Sequence, residues 1–160
     1  MGYKMAFMKT VIIGGVAGGM SAATRLRRLD ENAEIVVLER SGYVSFANCG
    51  LPYYIGDVIT DRNALLLQTP SSLRARFGLD VRVDSEAVSI DRAAKSVKVY
   101  NRSTGEHYFE DYDNLVLAPG ASPFVPPIPG VERALTLRNV GDTDKMASAV
   151  DAVLAGRLPT

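Results

Sequence analysis

The sequence predicts an α/β fold in which a parallel sheet carries an inserted antiparallel three-stranded meander. Three observations lead there. A short β-branched apolar run at residues 10–14 is followed at once by glycines at 14, 15, 18 and 19, a helical stretch, and a second apolar run at residues 34–39. Residues 86–112 switch to alternating apolar and polar positions broken by polar turns. A final apolar run at residues 114–118 again has the character of a fully buried strand.

Taken in order, residues 20–29 form a helix, with Ala22, Leu26 and Leu29 on one apolar face. Strand, glycine turn, helix and strand make a right-handed βαβ unit, which requires parallel strands. Residues 40–48 are irregular. Residues 49–55 open a short helix that Pro52 confines to a few residues. Thr69 and Pro70 have the chemistry of a helix N-cap and first turn, leading residues 71–77. Residues 80–83 read as a third short strand. In the meander, polar turns at residues 91–95 and 103–105 separate three extended runs. Residues 119–130 hold five prolines and form an ordered crossing rather than a regular element. Residues 134–137 are expected as a last short strand, and residues 142–155 as an amphipathic helix ended by Gly156.

Composition narrows the function. Across 160 residues, 18 basic side chains balance 18 acidic ones, without the basic excess of a nucleic-acid surface. No apolar run is long enough to span a bilayer. Residues 1–9 lack a long apolar stretch and a small-residue cleavage site, and read as an N-terminal extension, with Met5 or Met8 as alternative starts. A single cysteine excludes an internal disulfide framework and points to a reducing, cytoplasmic setting. His107 is the one histidine, so no Cys/His cluster offers a metal site.

The glycine turn has the chemistry of a dinucleotide site. A pyrophosphate needs backbone N–H groups that approach it closely at a helix N-terminus, and glycine permits this because it lacks a Cβ. Gly14 and Gly19 hold the first and third places of a G-x-G-x-x-G pattern, with Val16 at the middle place. Glu39 ends the second strand 20 residues after Gly19, where a carboxylate accepts bonds from ribose hydroxyls and repels a 2′-phosphate. The alternative is a ligand-free turn with Glu39 as a solvated strand end. These residues do not separate FAD from NAD.

Cys49 lies in the segment Tyr43-Val44-Ser45-Phe46-Ala47-Asn48-Cys49-Gly50-Leu51-Pro52-Tyr53. A helix beginning there would favour its thiolate, the attacking species in disulfide exchange. The alternative is a buried structural cysteine. The segment resembles the S-F-x-N-C-G-L-P-Y signature of coenzyme A disulfide reductases, NADH-dependent persulfide reductases and NADH oxidases, all flavin-dependent pyridine nucleotide–disulfide oxidoreductases. The resemblance extends over residues 11–23, Arg27-Arg28-Leu29, Glu39, residues 115–121 and Thr136-Leu137-Arg138-Asn139.

That resemblance implies a Rossmann-like FAD-binding domain at residues 10–118. Residues 119–160 would lead toward an NAD(P)H-binding domain that does not follow in this chain, so the chain is expected to be a fragment, inactive by itself. It implies FAD as cofactor, with NAD(P)H used by the full-length, homodimeric enzyme, and coenzyme A disulfide or a persulfide as substrate. Cys49 would be the redox thiol facing the flavin. Gly14, Val16, Ala17, Gly18, Gly19, Glu39, Arg40, Asn48, Ala87, Ala118 and Gly120 would contact the cofactor. Ser21, Arg25, Arg28, Ser45 and Asn48 match substrate-contacting positions. The family's further basic substrate residue falls near Phe77, so Arg74 or Arg76 would stand in for it. Ser21, Arg25 and Arg28, spaced i, i+4 and i+7, share one helix face suited to phosphates. Two rivals remain: an NADH oxidase or peroxidase cycling Cys49 through a sulfenic acid, and a non-catalytic dinucleotide-binding module.

Overall fold

A computed structural model describes residues 8–156. They divide into two compact units, residues 8–45 with Gln68–Gly120, and Phe46–Leu67 with residues 121–156.

The first unit contains both sheets. Strand β1 (Lys9–Ile13) pairs in parallel with β2 (Glu34–Leu38) on one side and β7 (Asn114–Leu117) on the other, and β2 pairs with β3 (Asp80–Arg82). The order β3-β2-β1-β7 is that of a parallel sheet built on the βαβ unit, with helix α1 (Ala17–Leu29) as its crossover. Strand pleating assigns alternate residues to opposite faces. Ile12, Ile35 and Val37 pack with Met20 and Ala23 of α1 and with Leu73 of α3 (Pro70–Phe77). Val11, Val36 and Leu38 face the other way, against Val97 and Val99 of the meander. The meander is β4 (Ser85–Asp91), β5 (Ser96–Asn101) and β6 (His107–Asp111), antiparallel throughout, with a bulge between Ala87 and Ser89. Apolar residues on both faces of β1 and β2 explain why those strands read as continuous apolar runs.

A buried carboxylate ties the two sheets together. Glu110 on β6 is 6% exposed and forms ion pairs with Lys9 of β1 and Arg82 of β3. Lys9 also meets Glu34 at 3.1 Å, and Arg82 meets Asp80 at 2.6 Å.

The second unit is helical. A 3-10 turn, Asn48–Gly50, runs into the short helix α2 (Leu51–Ile55), and a second 3-10 turn covers Arg62–Leu65. Helix α4 (Val140–Leu154) packs against α2. Its first turn is closed by a reciprocal pair. Asp142 N–H donates to Asn139 Oδ1 at 3.0 Å, and Asn139 N–H donates to Asp142 Oδ2 at 3.2 Å. The Arg62 guanidinium grips the Asp144 carboxylate with bonds of 2.6 and 2.7 Å.

Several expectations are corrected. Lys9 opens β1 instead of belonging to an extension, because its backbone already pairs with Glu34; residues 1–7 lie outside the described residues. Helix α1 begins at Ala17 rather than 20, since two glycines do not stop a helix whose apolar face is buried. That face centres on Gly19, Met20 and Ala23, with Ala22 and Leu26 at its edge, and Leu29 is 68% exposed. Residues 134–137 are not a strand: they pair with no strand among the described residues, and a strand exists only through its ladder.

Candidate functional site

The glycine turn is shaped by contacts that leave no room for a side chain. Gly14 has φ +102°, and a Cβ there would lie 2.0 Å from the Ala118 carbonyl oxygen. A Cβ on Gly19 would lie 1.7 Å from the Gly14 carbonyl oxygen. These two glycines therefore let the turn fold back on the start of α1 and on the end of β7. Gly15 is also a packing residue, its Cβ position 2.8 Å from Val44 Cγ1 and 2.9 Å from Glu39 Cβ. Gly18 is different: a Cβ would make an ordinary 3.5 Å contact with that of Ala118.

The N-terminus of α1 suits an anion. Val16 precedes it, no side chain caps it, and its first turn has no acidic residue. Its early N–H groups therefore lack side-chain acceptors, and the 13-residue helix directs its positive end at the same place. A diphosphate fits this combination of free donors and missing side chains.

Glu39 is 7% exposed, so it is no solvated strand end. Its Oε2 accepts the Gly15 N–H at 2.8 Å, and its Oε1 accepts the Ser41 N–H at 2.8 Å. Each oxygen retains a second lone pair. Glu39 also lines a cavity of about 130 Å³ with Gly14, Arg40, Ala87, Ser85, Glu86 and Pro119. Four of the sequence-derived cofactor positions thus meet in one place. Ala118 is half-buried, its N–H donating to the Ile13 carbonyl at 2.8 Å, and Gly120 is exposed with φ +71°.

A second cavity, of about 310 Å³, lies between α1 and α3. It brings together Val16, Ala17, Ser21 and Ser45, all named from the sequence, with Met20, Thr24, Gln68, Leu73, Arg76 and Phe77. Ser45 is one of four non-glycine residues with positive φ among the described residues, at +48°, a strained backbone held by its N–H bond to the Gly15 carbonyl at 3.0 Å. Of the two candidate arginines on α3, Arg76 lines this cavity and Arg74 does not. Arg25 and Arg28 are exposed on α1 but do not line it. Gln68 and Thr24 were not anticipated. Gln68 precedes the Thr69 cap and carries no motif, whereas Thr24 faces the cavity one turn after Ser21. Ser85 and Glu86 were signalled only by adjacency to Ala87.

Cys49 and Asn48 belong to the second unit, and both are exposed. The reason is local. Gly50 and Leu51 turn inward, and a Cβ on Gly50 would come within 2.9 Å of Leu65 Cδ2. Burying that side of the turn leaves Asn48 and Cys49 facing outward. The alternative of a buried structural cysteine is thereby removed.

A parallel sheet, a side-chain-free turn at an uncapped helix and a strand-end carboxylate define a Rossmann-like α/β fold of the dinucleotide-binding type. Comparison with known proteins makes the assignment specific. The profile of the pyridine nucleotide-disulphide oxidoreductase family matches residues 8–154, and the chain belongs to that family. It is 41% identical over 153 residues to the coenzyme A disulfide reductase of Staphylococcus aureus strain JH9, covering 91% of this chain and 34% of that protein. The structure of reduced Bacillus anthracis CoADR-RHD superposes with a TM-score of 0.90 at 53% identity, over 93% of this chain and 27% of that one. The NAD-dependent persulfide reductase from A. fulgidus gives a TM-score of 0.85 at 37% identity, over 90% and 27%. The chain therefore spans about a third of the length of the curated relatives it matches.

Proposed function

We propose that this chain is the FAD-binding portion of an NAD(P)H-dependent flavoprotein that reduces coenzyme A disulfide or a persulfide through Cys49. The observation that carries the reading is the exposure of the only cysteine, just before the buried Gly50 and Leu51, within the Asn48-Cys49-Gly50-Leu51-Pro52-Tyr53 segment.

In this reading the backbone of residues 14–19 holds the diphosphate of FAD at the start of α1. Glu39 accepts ribose hydroxyls on the lone pairs that Gly15 and Ser41 leave open. Arg40 and Ala87 border the adenosine end in the 130 Å³ cavity, and Ala118 and Gly120 complete the contacts. Bound FAD supplies the two-electron couple that returns Cys49 to its thiol at the expense of NAD(P)H. Ser21, Ser45 and Arg76 hold the phosphate-bearing end of the substrate in the 310 Å³ cavity, with Arg25 and Arg28 as further contacts.

The chemical step of Cys49 is thiol–disulfide exchange. Its thiolate attacks one sulfur of the substrate disulfide, a bond forms between Cys49 Sγ and that sulfur, the substrate S–S bond breaks, and the departing thiolate takes up a proton. The single cysteine and the coenzyme A disulfide and persulfide reductases among the relatives support a partner sulfur supplied by the substrate. In this reading the longer protein is a homodimer working in the cytoplasm.

The test uses the chain itself. Purified protein is expected to show flavin absorbance. Incubation with coenzyme A disulfide is expected to release one equivalent of coenzyme A and to add the mass of one coenzyme A at Cys49. Absence of both release and adduct on the native chain would remove Cys49 from the mechanism.

A further inference from the structure

We propose that Arg27 is a positioning residue for the anion-holding wall of the α1/α3 cavity, acting through Phe77 and Arg76; this rests on the substrate reading of that cavity. Arg27 lies on α1, half-buried, and spends its donors on backbone carbonyls. Nε donates to the Phe77 carbonyl at 2.8 Å and Nη2 to the Gly78 carbonyl at 3.2 Å. Nη1 donates to the Glu31 carbonyl at 2.5 Å. Gly78 ends α3 in the left-handed conformation, φ +59°, where the last carbonyls of a helix lack partners. One planar guanidinium thus fixes the end of α3 against the end of α1. A lysine, with a single nitrogen, cannot span the same carbonyls.

The consequence falls on the cavity. Phe77 is the residue whose carbonyl Arg27 holds, and its ring lies 5.2 Å from the Arg76 guanidinium carbon, in cation–π contact. Phe77 and Arg76 both line the cavity, and Arg76 has no carboxylate partner among the described residues. Its charge is available to an anion, and its direction is set by the ring beneath it. Fixing the Phe77 backbone therefore fixes where Arg76, the one cation lining the cavity among the described residues, points.

The experiment measures the Kd of coenzyme A, and the melting temperature, for the 160-residue chain and its Arg27→Met, Arg76→Met and double variants. Each single change is expected to weaken binding by roughly tenfold or more, the scale of one charge-assisted contact. The double variant is expected to bind no worse than the weaker single, because both act on one contact. Arg27→Lys is expected to recover only part of the affinity. Losses that multiply in the double variant, or native affinity in Arg27→Met, overturn the inference while leaving the cavity's assignment intact. If Arg27→Met does not fold, Phe77→Leu removes the ring without touching the carbonyl; a native Kd in that variant overturns the inference equally. Absence of coenzyme A binding by the native chain overturns the cavity's assignment, and the inference falls with it.

Discussion

Gly18 and Gly19 are adjacent in sequence and opposite in tolerance. A methyl at position 19 has nowhere to go, being 1.7 Å from a backbone oxygen in the turn that precedes the helix. A methyl at position 18 makes a normal contact. Gly19→Ala is therefore expected to destabilise the first unit by about 3 kcal/mol or more, read by denaturant unfolding. Gly18→Ala is expected to stabilise the flavin-free chain by about 0.5–1 kcal/mol, because alanine loses less conformational entropy in a helix. The same substitution is expected to lower flavin content at purification, since the added methyl stands where the diphosphate is proposed to approach. Unchanged flavin binding in Gly18→Ala would argue against that placement.

At the scale of elements, the Arg62–Asp144 pair joins the 3-10 turn Arg62–Leu65 to α4. The Arg62 hydrogen bonds hold the Asp144 carboxyl below the usual carboxylate range, overcoming the opposite effect of partial burial. A carboxyl whose pKa is depressed by folding stabilises the fold above its unfolded pKa. That contribution is lost as pH falls through the folded value. Both side chains are about a third exposed, so the pair is worth about 0.2–1 kcal/mol and no more. Asp144→Asn is expected to lower stability by that amount at neutral pH and to flatten the acid limb below the ordinary carboxylate range. Unfolding curves across that range measure both effects.

Elements whose signal was local were legible in the sequence. Thr69-Pro70 reads as a helix start from its chemistry alone, and α3 begins at Pro70 behind a Thr69 cap. The alternation of Val97 and Val99 with Lys98 and Tyr100 reads as a strand, and β5 buries both valines. Residues 134–137 have strand-like composition but no neighbour to pair with, and composition alone cannot report a missing neighbour. The site divides in the same way. Glu39 is visible as a strand-end carboxylate, yet its grip on Gly15 and Ser41 depends on the path of residues 40–45. Arg27 looks like Arg25 and Arg28 on paper. Only the position of α3 shows that Arg27 is tied to carbonyls while the other two are exposed.

Across the first unit as a whole, Glu110 is the charge on which the two sheets converge. It is buried between Lys9 and Arg82, each of which keeps a second carboxylate partner. Glu110→Gln is expected to cost about 2 kcal/mol, below the usual penalty for breaking a buried pair because Glu34 and Asp80 remain. Partial burial works against the Lys9 charge, but hydrogen bonds to Glu110 and Glu34 outweigh it and raise the lysine above its ordinary 10.5. Its stabilisation is therefore complete below that pH and fades as pH rises through the folded value. Urea unfolding at pH 7 and in the alkaline range checks both statements, the variant being expected to show a shallower alkaline decline.

The double duty of Glu39 limits how this chain can change. One carboxylate braces the glycine turn and the start of the following loop, and it also occupies the position from which ribose would be read. A lineage, or an engineer, seeking a different sugar specificity cannot remove it without loosening the scaffold that holds the ligand. Variation should then accumulate at exposed Arg40, which borders the same cavity, before it reaches Glu86, whose carboxylate pairs with Arg102 at 2.9 Å.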